Sequence, residues 1–137
     1  MKQNIIRGKR ILLVDDESGL RGSFRLLFEI DDHVVIEADN GAKALDLFTE
    51  GQFDLVATDF EMPVMKGNEL AVRIKQLAPK QPILMITAYG NRLGDSENPV
   101  DSILNKPFTM DNLRGAIAML LPNQQIPPIA MNRPPTG

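Results

Sequence analysis

The sequence predicts an α/β fold in which a parallel sheet carries helices on both faces. Short aliphatic runs of strand length alternate along the chain with segments of helical periodicity. The runs are apolar at successive positions, as in strands buried on both faces. Four of them, ILLVDDE, LVATDFEMP, ILMITAYG and SILNKPF, end in polar residues that can touch a phosphate or its metal. These are Asp15 and Asp16, Asp59, Thr87 and Lys106. Open parallel sheets bind ligands at the carboxyl ends of their strands. If the runs are neighbouring strands, three acids, a hydroxyl and a lysine meet on one rim.

The elements follow in order. Arg10 to Val14 is the first expected strand. Ser18 is placed to cap a helix whose Leu20, Phe24, Leu27 and Phe28 recur on one face. Val34 to Ala38 is the second strand, and Asn40-Gly41 turns the chain into a helix with Ala44, Leu45 and Phe48 on one side. Leu55 to Thr58 is the third strand. After Gly67 a helix carrying Leu70, Ile74 and Leu77 runs until Pro79 stops it. Ile83 to Ile86 is the fourth strand and Ser102 to Leu104 a short fifth. A last helix starts near Thr109, turns Leu113, Ile117, Leu120 and Leu121 inward, and ends at Pro122. Such alternation implies right-handed crossovers.

Two stretches break the rhythm. Between Thr87 and Ser102, where a fourth helix should lie, AYGNRLGDSENPVD holds two glycines and Pro99 and no helical stripe. A single frayed turn or a loop is expected there. The end, PNQQIPPIAMNRPPTG, is proline-rich without apolar period and reads as an extended tail or linker. The expected organisation is an N-terminal extension over residues 1–8, one domain over 9–121, and the tail over 122–137.

Composition bounds the function. The 137 residues suit one domain, of 43% hydrophobic and 24% charged residues as in an ordinary globule. A net charge of −3, no basic stripe and no tryptophan argue against direct nucleic-acid binding. No apolar run approaches the ~20 residues that span a bilayer, and the start lacks the apolar core of a signal peptide. Without cysteine there is no disulfide, thiol nucleophile or thiolate site. A cytoplasmic location is expected. His33, the single histidine, sits among DDH at a strand start and reads as a solvated edge residue.

The rim residues define a chemistry. A carboxylate such as Asp59 can accept a phosphoryl group as an acyl phosphate. That transfer requires mainly positioning and neutralisation of charge on the moving oxygens. Asp15 and Asp16 supply the hard oxygen ligands Mg²⁺ prefers. Side chains alternate along a strand, so both acids can face one metal only where the strand has ended. Without a cation, clustered carboxylates repel and some of their pKa values should rise. Lys106 adds a mobile ammonium for one phosphoryl oxygen, and Thr87 a hydroxyl for another.

The segments ILLVDDE, DFEMPVMKG, ITA and KPF strongly resemble those of response-regulator receiver domains of two-component signalling. The likeness runs from about Lys9 to Leu121. It implies a flavodoxin-like, doubly wound five-stranded sheet in the order 2-1-3-4-5. It implies that Asp59 receives a phosphoryl group from the phosphohistidine of a sensor histidine kinase or phosphotransfer protein. By the same resemblance Asp15, Asp16, Asp59 and the backbone carbonyl of Glu61 bind Mg²⁺, Lys106 pairs with the phosphoryl group, and Thr87 swings toward it. Met62-Pro63 and Gly67 match the loop after the acceptor, and Pro107 the proline that follows the lysine through a cis bond. Glu61 and Tyr89 match positions that flank the route of the hydrolytic water and tune the lifetime of the modified state.

The departures concern output. Receivers usually carry Tyr or Phe three residues before the lysine; this chain has Ile103, which cannot exchange a buried ring for an exposed one. The span from Thr87 to Lys106 is also shorter than usual. In the family, the face built from the fourth helix, fifth strand and fifth helix docks partners or forms a homodimer. Phosphorylation chemistry should therefore be intact while the output surface, and its unknown partner, are unusual. Two other functions compete: a Mg²⁺-dependent phosphatase with an Asp nucleophile, as in haloacid-dehalogenase-like enzymes, and a pseudo-receiver that binds partners unmodified. The sequence around Asp59 matches the D-x-D of the former poorly. Amide hydrogen exchange over residues 90–101 of the unmodified protein should be fast; strong protection would contradict a degenerate fourth helix.

Overall fold

The computed structural model describes residues 5–88 and 99–122. Its elements are β1 (Arg10–Val14), α1 (Ser18–Ile30), β2 (Val34–Ala38), α2 (Gly41–Glu50), β3 (Leu55–Thr58), α3 (Gly67–Leu77), β4 (Ile83–Thr87), β5 (Ser102–Asn105) and α4 (Met110–Leu120). The strands pair in parallel in the order β2-β1-β3-β4-β5. Each expected strand is present, β4 and β5 running one residue further. The irregular stretch expected after Thr87 falls mostly at 89–98, and the proline-rich tail at 123–137; both lie outside the described residues.

Alternation along the strands divides the core. Leu12, Val14, Val56 and Ile83 face Ala44 of α2 and Leu70, Ala71 and Ile74 of α3. Ile11, Leu13, Leu55, Ala57, Leu84, Ile86 and Leu104 face Phe24 and Phe28 of α1 and Leu113 and Ile117 of α4. Fully burying one such side chain contributes about 1.5–3 kcal/mol, so two layers of helices fix which strand ends share a rim. Ile6, ahead of β1, also packs into the α1–α4 layer.

Local signals set the helix ends. Asn40 caps α2 by accepting the Lys43 N–H at 2.8 Å. Thr109 and Asn112 form a reciprocal capping box on α4. Ser18 does not cap α1 as expected: it is already the first helical residue, and the cap position, Glu17, makes no side-chain bond. The turn is closed by Asp15, whose Oδ1 accepts the Glu17 N–H at 3.0 Å. Leu77 also departs from expectation. It is 57% exposed, because the inward stripe of α3 ends at Ile74.

His33 is a correction of a different kind: it is buried, not solvated. Its Nδ1 accepts the Lys9 N–H at 2.9 Å, and its ring meets the Phe28 ring edge-on with centroids 6.3 Å apart. Nε2 is buried and has no hydrogen-bond partner among the described residues. Burial holds its pKa below the ordinary 6.5, although Asp31 and Asp32 pull the other way. Asp31 is buried too, clamped by Arg114 through Nε at 2.8 Å and Nη2 at 2.9 Å, and these bonds hold its carboxyl below the usual range. The clamp ties α4 to the α1–β2 turn. Because the unfolded chain protonates His33 more readily than the fold does, stability is complete above pH 6.5 and falls as pH drops toward the lower folded value. His33→Asn keeps an acceptor for Lys9 and removes the titration. Denaturant midpoints on either side of pH 6.5 should show this loss in wild type and not in the variant; equal losses would exclude His33 as the source.

Candidate functional site

The parallel register delivers the acids. Val14 and Thr58 are partners at the ends of β1 and β3, so Asp15 and Asp59 leave the sheet side by side. The Asp59 N–H donates to the Val14 carbonyl at 3.0 Å and the Asp15 N–H to the Ala38 carbonyl at 3.1 Å. Carboxylate oxygens of Asp15, Asp16 and Asp59 lie within 4.8 Å of one another. Asp15 is buried and Asp16 exposed, while the Asp59 side chain is 12% exposed. Asp59 Oδ1 accepts the Phe60 N–H at 2.9 Å and stands 3.6 Å from Lys106 Nζ.

The other two rim residues come from β4 and β5. Thr87 is fully buried at the end of β4, and its carbonyl accepts the Lys106 N–H at 3.0 Å. The Lys106–Pro107 peptide is cis. The Lys106 ammonium lies 5.5 Å from the Phe24 ring centroid. Beside it runs an apolar groove of about 510 Å³ lined by Leu20, Phe24, Leu27, Ala88, Pro107 and Phe108.

Burial pushes the Asp59 carboxyl up; Lys106 opposes this and Asp15 adds to it. Burial also raises Asp15, against the Glu17 N–H and Lys106. The direction agrees with the expectation for clustered acids. The cause differs, since loss of water outweighs mutual repulsion at both residues. Three hard oxygen donors within reach of one point, two of them disfavoured as bare anions, fit a divalent cation.

The loop after Asp59 is tightly folded. Met62 is buried, and the Met65 N–H donates to the Pro63 carbonyl at 2.7 Å across Val64, a β-branched residue at φ +70°. This is a strained γ-turn conformation. The Gly67 N–H returns to the Phe60 carbonyl at 2.9 Å. Any Cβ at Gly67 would overlap the Asp59 carbonyl oxygen, so the close approach requires glycine. Glu61, exposed, accepts from Lys66 Nζ at 3.2 and 2.9 Å. Ile103 is half-buried opposite Met85 on β4. Tyr89 lies outside the described residues.

Sequence reasoning missed three residues here. The Thr58 hydroxyl donates to the Asp59 carbonyl at 2.9 Å. Phe24, on the apolar face of α1, sits beneath the Lys106 ammonium. Arg21 donates from Nη1 to the Asp15 carbonyl at 2.7 Å. Only the position of Thr58, directly before the acid, offered a signal.

A parallel 2-1-3-4-5 sheet with acids after β1 and β3, a threonine ending β4 and a lysine after β5 defines a receiver-type signalling domain. The response regulator receiver domain family model matches residues 11–118, and the chain belongs to that family. It is 36% identical over 116 residues to the response regulator receiver protein CpdR of Brucella abortus, covering 82% of this chain and 97% of that protein. It is 33% identical over 117 residues to sporulation initiation phosphotransferase F of Bacillus subtilis, covering 83% and 94%. Among solved structures it resembles the response regulator TrrA of Thermotoga maritima. In complex with Mg(2+)-BeF that protein superposes with a TM-score of 0.78 at 34% identity, covering 82% of this chain and 99% of that one. TrrA in complex with the histidine kinase ThkA gives 0.76 at 35% identity, covering 82% and 98%. Among the described residues no helix is long and apolar enough to cross a membrane.

The raised Asp59 carboxyl means that folding disfavours its anion at neutral pH, a cost present above its folded pKa and relieved below it. Asp59→Asn removes the charge at constant shape. In metal-free buffer near neutral pH the variant should melt at a higher temperature than wild type. A lower melting temperature would show that attraction to Lys106 outweighs burial.

Proposed function

We propose that Asp59 is the phosphoacceptor of a two-component phosphorelay. Asp15, Asp16, Asp59 and the backbone carbonyl of Glu61 would hold the Mg²⁺ this chemistry needs. The observation that carries the reading is the single carboxylate of Asp59 held between an acidic pair and the Lys106 ammonium at the rim. A carboxylate oxygen of Asp59 attacks phosphorus, the bond from phosphorus to the donor breaks, and the donor's imidazole leaves. Bound Mg²⁺ supplies charge neutralisation at the phosphoryl oxygens. Lys106, already 3.6 Å from Oδ1, stays close enough to pair with a phosphoryl oxygen once Asp59 is esterified. The Thr87 hydroxyl takes a second oxygen, and the new interactions favour one arrangement of the adjoining loops over another.

The donor is a sensor histidine kinase or phosphotransfer protein. The kinase complex of TrrA supports this, as does the apolar groove beside Lys106, which offers surface for such a partner. Residues 9–121 act as the receiver and 122–137 as tail or linker. The unit works in the cytoplasm, catalyses only its own phosphorylation and dephosphorylation, and signals by contact with an output protein or a second copy of itself. Ile103 in place of an aromatic residue alters the readout, while Glu61 and Tyr89 tune the lifetime of the phosphate. Incubation with Mg²⁺ and a small phosphodonor should add one phosphoryl mass to wild type and none to Asp59→Asn, and a chelator should prevent the gain. Equal labelling of both proteins would show that the acceptor lies elsewhere.

A further inference from the structure

We propose that Arg21 is a positioning residue for the acidic rim: its guanidinium locks the Asp15–Asp16 peptide in the orientation that lets both carboxylates face one divalent cation. This rests on the metal-site reading above. Asp15 is held at three points. Its N–H is on the Ala38 carbonyl, its carboxylate accepts the Glu17 N–H at 3.0 Å, and its carbonyl accepts Arg21 Nη1–H at 2.7 Å. That carbonyl belongs to the peptide plane leading into Asp16. Fixing it sets the direction in which the exposed Asp16 leaves the chain.

Arg21 is itself anchored. Its Nε–H donates to Glu37 Oε1 at 2.6 Å, and the other Glu37 oxygen accepts Arg25 Nη1–H at 2.6 Å. Arg25 continues to Glu29 at 2.9 Å. The Arg21 and Glu37 side chains are 16% and 25% exposed, so their charge-assisted bond is largely sheltered, while Arg25 and Glu29 stand further out in solvent. The guanidinium is thus a rigid strut between β2 and the β1–α1 turn. Its planar fork reaches two acceptors in fixed directions, which a lysine ammonium on a flexible stem does not reproduce.

The sign of one measurement separates positioning from mere proximity. A bystander cation next to a cation site repels the incoming ion, so its removal leaves Mg²⁺ affinity equal or tighter. A residue that orients the ligands does the opposite, and groups that orient metal ligands typically contribute 10–100-fold to affinity. Titration calorimetry with MgCl₂ on the full unphosphorylated chain should show roughly tenfold or greater weakening in Arg21→Met. Arg21→Lys keeps the charge and should also bind more weakly than wild type. In metal-free protein both substitutions should move the Asp16 amide nitrogen resonance, because its peptide loses the bond at Asp15. Equal or tighter Mg²⁺ binding by Arg21→Met overturns the proposal while leaving the site reading intact. Should that variant not fold, unchanged affinity in Arg21→Lys overturns it. Absence of Mg²⁺ uptake by wild type would remove the site reading and this proposal together.

Discussion

Two carboxylates held where water is scarce impose the governing constraint on this domain. Asp15 and Asp59 are both pushed toward their neutral forms by burial, and the third acid of the rim, Asp16, adds its field to Asp15. One ammonium, 3.6 Å from Asp59, offsets part of that cost. The remainder favours a cation at the point where a parallel sheet collects its strand ends. Stability and chemistry pull in opposite directions there, as they do at many functional sites.

The rest of the fold holds that arrangement against its own repulsion. Parallel pairing between β1 and β3 fixes the separation of Asp15 and Asp59 through main-chain bonds rather than through the acids themselves. Lys106 and Thr87 are joined in the same way, the peptide of one bonded to the carbonyl of the other across β4 and β5. Helix α1 contributes on two sides, with Arg21 bonded to the Asp15 carbonyl and Phe24 facing the Lys106 ammonium. Displacing any rim residue therefore strains a hydrogen-bonded strand end or a packed helix.

Much of this was legible in the sequence because the features involved are periodic or punctual. Strands buried on both faces read as unbroken aliphatic runs, and the polar residue ending each run is visible without coordinates. Asn40-Gly41 and Thr109 marked where two helices begin, although the bonds by which Asn40 and Thr109 cap them appear only in the fold. What escaped was set by long-range geometry. His33 looks solvated among two aspartates, yet β2 draws it under Phe28, where Lys9 satisfies one ring nitrogen. Ser18 has the chemistry of a cap, but Asp15 closes the turn first and the helix begins a residue early. Leu77 fits the stripe of α3 by spacing, while the buried face of the helix ends at Ile74 and leaves Leu77 exposed. Arg21 could not have been found, because its partners lie in the β1–α1 turn and on β2 and nothing local distinguishes it from Arg25.

The glycine that opens α3 has a mechanical consequence. With no side chain at Gly67, the Asp59 carbonyl presses directly on helical backbone, and the Thr58 hydroxyl grips the same oxygen. Behind its carboxylate, Asp59 therefore has a hard backstop. Recoil from any group that engages the side chain cannot be absorbed by the peptide behind it. The displacement must travel outward, into Lys106 and the loops that frame the mouth.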